Sequence, residues 1–190
     1  MDFIHIFILS IIQGVTEFLP ISSQSHLILT SHLLGLKDQG LGFDIALHFG
    51  SLIAILIYYR KEIRSLLSLN DEGVNYLKLI IIGSIPLPIV GLLFIDIVSQ
   101  NMRSVFSIAS MTILFAVILY LADLKKKEVV TKFANISIYT IVFIGLMQTL
   151  AIMPGVSRSG IVITAALLAT FSREDSIKIA FLLSIAAIFM

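Results

Sequence analysis

The chain has 190 residues, 58% of them hydrophobic and only 13% charged, with a mean hydropathy of +1.04. A soluble domain carries nearly twice that charge fraction, so the composition is that of an all-α integral membrane protein. The lack of cysteine excludes disulfides and thiolate metal sites, and a net charge of +1 excludes a nucleic-acid partner.

Asp2 stands where a secretory leader would be basic, so no cleavable signal is expected at the N-terminus. The first apolar region, Phe3–Leu36, is split around Pro20. Uninterrupted apolar stretches follow at Phe43–Tyr59, Tyr76–Val98 and Ser104–Leu121, each near the ~20 residues a bilayer requires. A second split region, Ile136–Phe171, breaks around Pro154-Gly155, and a last span opens near Ser176 and is still apolar at Met190. The halves of the split regions are short for full crossings. A helix–break–helix hairpin that enters and leaves by one face fits better, because irregular backbone is tolerated at depth only where protein or water surrounds it. The expected architecture is therefore four spans, the last incomplete, with two re-entrant hairpins. On that reading the chain is a fragment, which should insert but turn over little substrate.

The two breaks carry matching polar islands. Pro20-Ile-Ser22-Ser23-Gln-Ser25-His26 aligns with Pro154-Gly-Val-Ser157-Arg158-Ser159-Gly160 at one offset, which also carries Leu33-Leu34 onto Leu167-Leu168 and Ala46 onto Ala180. An offset this long is not a solenoid repeat and reads as duplicated halves. Repeat one covers about 1–98 and repeat two runs from about 104 onward, within a single membrane domain, 1–190. Basic residues give the halves a direction. If both split regions are re-entrant, Arg60, Lys61, Arg64, Lys78, Lys125, Lys126, Lys127, Lys132, Arg173 and Lys178 share one side, which the positive-inside rule makes cytoplasmic. Lys37 and Arg103 fall on the other side, and Arg158 lies within the membrane. The hairpins then enter from opposite faces, as inverted repeats do, with their tips meeting near the midplane.

A guanidinium at membrane depth costs about 2.5–3.5 kcal/mol, so Arg158 needs compensation. With Ser157, Ser159 and Gly160 opening a helix behind it, Arg158 forms a phosphate or carboxylate site. The bland alternative is a buried ion pair with Glu17. Glu17, with Gln13 one turn earlier on the same face, is read as a general base, a metal ligand or that ion-pair partner. Ser22, Ser23 and Ser25 followed by His26 give a serine and an imidazole on one helical face, the pattern of an activated nucleophile. On spacing alone N-caps and a packed histidine are the better account, and what favours the nucleophile is that the island is expected to face Arg158 across the repeat interface. His5, His32 and His48 stand singly and read as packed residues, His48 being nearest the expected cavity.

Gln13-Gly-Val-Thr-Glu17-Phe-Leu-Pro20-Ile-Ser-Ser-Gln-Ser-His26, Phe43-Asp-Ile-Ala-Leu-His-Phe-Gly-Ser51 and Pro154-Gly-Val-Ser-Arg-Ser-Gly160 together resemble the undecaprenyl-diphosphate phosphatase family of the bacitracin-resistance type. The resemblance implies an inverted-repeat enzyme of the bacterial cytoplasmic membrane. Such an enzyme hydrolyses undecaprenyl diphosphate to the monophosphate carrier used in peptidoglycan synthesis. It implies catalytic roles for Glu17, Ser23, His26 and Arg158; Gln13, Ser22, Ser25, Ser157, Ser159 and Gly160 are the residues expected to bind substrate beside them. Gln13 stands where many members have Glu. A single carboxylate, Glu17, is then left for Mg²⁺ or Ca²⁺, which would bind mainly with the substrate's phosphates. The expected partners are the lipid substrate and the bilayer, with room for an oligomer, and either Ser23 or a water is the nucleophile. The rival reading from another class is an inverted-repeat transporter or flippase for a polyprenyl phosphate lipid.

Overall fold

The computed structural model describes residues 3–36, 40–66, 70–102, 104–124 and 136–189. Lys37 and Arg103, expected on one side, and Lys125, Lys126, Lys127 and Lys132, expected on the other, lie outside the described residues. Every regular element in the described residues is a helix.

In chain order these are α1 (Phe3–Thr16), α2 (Ser23–Leu33), α3 (Leu41–Tyr58), α4 (Arg60–Leu66), α5 (Asp71–Ser84), α6 (Pro86–Asn101), α7 (Val105–Asp123), α8 (Ile138–Gln148), α9 (Arg158–Leu168) and α10 (Arg173–Phe189). A 3₁₀ turn, Thr149–Ile152, extends α8 toward Pro154. Local chemistry explains the starts. The hydroxyls of Ser104, Ser137 and Ser157 accept the N–H of Ser107, Thr140 and Gly160 at 3.1 Å each, satisfying helix donors that have no carbonyl of their own. Ser172 does the same for Asp175 before α10, and its hydroxyl donates to Asp175 Oδ2 at 2.7 Å.

The breaks fall where prolines demand them, with one difference from the sequence expectation. The stretch Tyr76–Val98, read as one span, is two helices that meet at Ile85. Pro86 has no N–H to return to Ile82, and its ring crowds that carbonyl, so the ladder is interrupted there. Ile85 keeps helical angles, φ −53 and ψ −42, so the chain's direction is preserved across the joint.

The lipid-facing side is legible from burial. Two stretches, Gly73–Phe94 and Val105–Asp123, are long and apolar enough to cross a membrane, and only 17% and 11% of their most hydropathic windows are buried inside the molecule. Core helices of soluble proteins would be mostly covered. Here Leu92 and Phe106 stand 86% and 84% exposed in a surface rich in apolar side chains, which water does not tolerate on this scale but acyl chains do. The protein is helical and its outer surface is made for a bilayer.

The densest packing surrounds α9, whose Val162, Ala165 and Ala166 are buried against Ile141 and Ile144 of α8 and Ile179, Leu182 and Leu183 of α10. Small residues are what allow backbones to come this close without a hydrophobic drive between helices. At the α5–α8 crossing a Cβ on Gly145 would lie 2.4 Å from the carbonyl oxygen of Gly83, a backbone atom that cannot swing aside. Gly145→Ala is accordingly expected to lower stability by about 1–3 kcal/mol, the usual cost of overpacking. Thermal unfolding in detergent checks it; an unshifted midpoint would mean that the two helices can separate freely.

Candidate active site

Two helix starts and one helix end converge on a single cavity of about 180 Å³. α1 ends at Thr16, and Glu17 N–H still reaches the carbonyl of Gln13 at 2.9 Å, so Glu17 occupies the last helical position before the turn at Pro20. The turn ends at Ser22, held at φ 64 and ψ 92. That conformation costs a non-glycine residue about 1–3 kcal/mol and persists only when surroundings over-determine it. They do: the Ser22 carbonyl accepts from His26 N–H at 3.3 Å and faces His26 Nδ1 at 2.9 Å, while Ser25 Oγ donates to Ser22 Oγ at 2.9 Å. α2 then begins at Ser23 with its N-terminal end open to the cavity.

The second tip is built differently. Gly155, at φ +100, passes so close to α7 that a Cβ would stand 2.4 Å from the carbonyl oxygen of Ile108, and its own carbonyl accepts from Thr112 Oγ1 at 3.1 Å. Ser157 caps α9, and Ser157, Arg158 and Ser159 line the same cavity as Ser22 and Ser23. Ser159 Oγ donates to Leu19 O at 3.3 Å, which ties the second tip to the first, and the Ser157 and Ser159 hydroxyls lie 3.1 Å apart within the second.

Glu17 is the hub. Its side chain is 7% exposed. Oε1 accepts from Arg158 Nη2 at 2.5 Å, while Oε2 accepts from Ser23 Oγ at 2.6 Å and from Gln13 Nε2 at 3.0 Å. His48 Nε2 of α3 stands 3.3 Å from the same Oε2. Gln13 also reaches Ser51 Oγ at 3.4 Å, so α3 is held against α1 at this level. Arg158 makes no other hydrogen bond among the described residues, which leaves the rest of its planar fork to the cavity it lines. Two helix N-termini, each the positive end of a peptide dipole, and a guanidinium therefore surround one carboxylate, an arrangement made for an anion with negative charge to share.

The sequence candidates separate in space. Gln13, Glu17, Ser23 and Arg158 are in one network, and Ser22, Ser157 and Ser159 line its cavity. His26 lines a neighbouring cavity of about 260 Å³ with Pro20, Thr112, Phe115 and Gly160; Ser157 is common to both. Ser25 is buried behind Ser22 rather than lining the first cavity. His48, read singly from the sequence as a packed residue, is in contact with the hub. Its signal was membership of the Phe43–Ser51 motif, not its own spacing.

The residues fit a resident divalent ion poorly. Both oxygens of Glu17 are engaged by protein donors, and no group of three or more metal-ligating side chains occurs among the described residues.

Comparison with known proteins agrees with these motifs. A profile of the family described as bacitracin resistance protein BacA matches residues 6–190. The chain is 43% identical over 196 residues to the undecaprenyl-diphosphatase of Saccharophagus degradans, covering 99% of this chain and 74% of that protein. It is 47% identical over 190 residues to the undecaprenyl-diphosphatase of Elusimicrobium minutum, covering 97% and 72%, and 46% identical over 202 residues to that of Campylobacter curvus, covering 100% and 75%.

Proposed function

The chain belongs to the bacitracin resistance protein BacA family, and from that premise we propose that it hydrolyses undecaprenyl diphosphate to undecaprenyl phosphate and inorganic phosphate. The observation that carries the reading is the Glu17–Arg158–Ser23 network opening onto a cavity faced by two helix N-termini. A flippase reading is not favoured, because the relatives are named for a hydrolytic activity.

Arg158 and the first turn of α9 hold the terminal phosphate, with fork and N–H groups aimed at charge that builds during transfer. Ser22, Ser157 and Ser159 supply further hydroxyls. Ser23 attacks the terminal phosphorus as the bridging P–O bond breaks and undecaprenyl phosphate leaves, its proton passing to Glu17 Oε2, to which it already donates. Water then hydrolyses the phosphoserine to release inorganic phosphate, or, attacking in place of Ser23, forms inorganic phosphate in one step. Glu17 takes the role of base in preference to His26 on that contact. His26, with Gly160 and the shared Ser157, is assigned to the second cavity and to the phosphate that stays on the lipid. Ser25 supports the site by holding Ser22. Glu17, both oxygens of which are engaged by protein donors, would assist rather than hold a Mg²⁺ or Ca²⁺ ion, whose charge neutralisation would be supplied mainly through the substrate's own phosphates.

In the same reading the two tips belong to inverted, re-entrant hairpins of a multi-pass protein of the bacterial cytoplasmic membrane. Repeat one covers about 1–98 and repeat two runs from about 104 onward. Arg173 pairs with Asp123 through Nε at 2.5 Å and Nη2 at 2.7 Å, which supports a common side for the end of α7 and the start of α10, with α8 and α9 entering and leaving between them. Phe18, beside the first tip, lies edge-on to Phe181 at 6.1 Å, and Phe181 lies 5.9 Å from Tyr59, contacts that support a first tip reaching toward the Arg60 end, as an opposed hairpin would. The polyprenyl tail lies in the bilayer between spans.

Phosphate release from undecaprenyl diphosphate by the purified protein in detergent tests the reading, and it should fall with chelator and recover with added Mg²⁺ or Ca²⁺. Transport of the lipid across vesicles without phosphate release would overturn it.

A further inference from the structure

His48 has no part in the reading so far, yet its ring is fixed at both ends. Nδ1 faces the carbonyl oxygen of Asp44, one turn earlier on α3, at 2.7 Å. A carbonyl can only accept, so Nδ1 carries a hydrogen. Nε2 is thereby turned toward Glu17 and stands 3.3 Å from Oε2, the oxygen that also accepts from Ser23 and Gln13. The helix itself aims the ring, because the Asp44 carbonyl belongs to its own preceding turn.

The consequence appears when a phosphate enters. Arg158 is the cationic partner of a Glu17 side chain only 7% exposed, and the same guanidinium is the group best suited to the incoming phosphate. A fork that turns to the substrate loosens its hold on Oε1. Gln13 and Ser23 still donate to Oε2, but Ser23 is the group whose proton is to leave. Of these donors only Gln13, one turn back on the same helix, would then orient the carboxylate at the moment it is needed as an acceptor.

Resting on the phosphatase reading, we propose that His48 is a positioning residue for Glu17, holding Oε2 toward Ser23 while substrate phosphate draws Arg158 away. His48 also lines the cavity wall, so no movement of α3 is required for it to act. Its influence passes through Glu17, and it separates two duties that Arg158 alone would have to combine.

Two substitutions and two readouts test this. His48→Leu keeps bulk but removes both ring nitrogens; His48→Gln returns a side-chain donor at similar reach. His48→Leu is expected to lower kcat at least about tenfold with KM changed by less than about twofold, and His48→Gln to recover most of the loss. His48→Leu turnover within twofold of the parent, or His48→Gln falling as far as His48→Leu, overturns the proposal. The second readout needs no catalysis. Pyrophosphate should raise the melting midpoint of the parent more than that of His48→Leu, because only the parent keeps Glu17 held when Arg158 moves. An equal rise in both overturns the proposal whatever the activity. A larger rise in the parent, in a protein that releases no phosphate from lipid diphosphate, supports the His48 link and sinks the phosphatase reading instead.

Discussion

Arg158→Lys is expected to cut phosphate release by about 10²–10³-fold, the scale on which removal of one preorganised transition-state donor is felt. The substitution keeps a positive charge and a long stem, so the ion pair with Glu17 and insertion into the membrane should survive. What it loses is the planar fork. Arg158 spends one N–H, from Nη2, on Glu17 Oε1 and has donors left for the cavity, whereas an ammonium group is a point charge that cannot present paired donors in one plane to two phosphate oxygens. The loss should appear in kcat more than in KM, since the fork's worth lies in charge that develops during transfer. Steady-state phosphate release with detergent-purified protein measures it. Near-normal turnover would assign Arg158 to holding the two tips together, with phosphate bound by hydroxyls and backbone N–H groups.

Glu17→Gln should reduce turnover by about 10²–10⁴-fold, the range of a lost general base. The amide retains the shape of the carboxylate and can still accept from Ser23, but it cannot take that proton. Ser23→Ala removes the other half of the same 2.6 Å hydrogen bond. If serine attacks and Glu17 takes its proton, the two act as a unit, and the double substitution should be little worse than the poorer single one. Multiplying losses would instead mean water attack, with Ser23 only binding phosphate. Glu17→Gln also leaves the Arg158 guanidinium without its buried counter-charge, so the melting midpoint must be followed beside activity; pyrophosphate should restore part of any loss by supplying a replacement anion.

Much of this arrangement is local and therefore legible in the chain. The splits at Pro20 and Pro154 and the capping serines 104, 137 and 157 follow from interactions within about one helical turn. The joint at Pro86 obeys the same rule and is masked in the sequence only because the apolar run continues through it. Glu17 and Arg158 were conspicuous because a charge inside an apolar run needs a partner, whichever that partner is.

Partnership and direction are another matter. Sequence spacing put Ser23 and His26 on one helical face, but Ser22 at positive φ turns the His26 ring to the Ser22 carbonyl and the second cavity, while Ser23 donates to Glu17. A lone histidine in an apolar helix carries no periodic signal, and His48 meets the hub only because α3 lies against α1 where Gln13 reaches Ser51. By itself the sequence determined a helical membrane protein, its two broken regions and the charged residues that must be satisfied inside it. The tertiary structure decided that Glu17 and Arg158, 141 residues apart, satisfy each other, and which histidine stands beside them. The reason is range: capping and proline effects act within a turn, whereas these contacts depend on how close small residues such as Gly145, Gly155 and Ala165 let distant backbones approach.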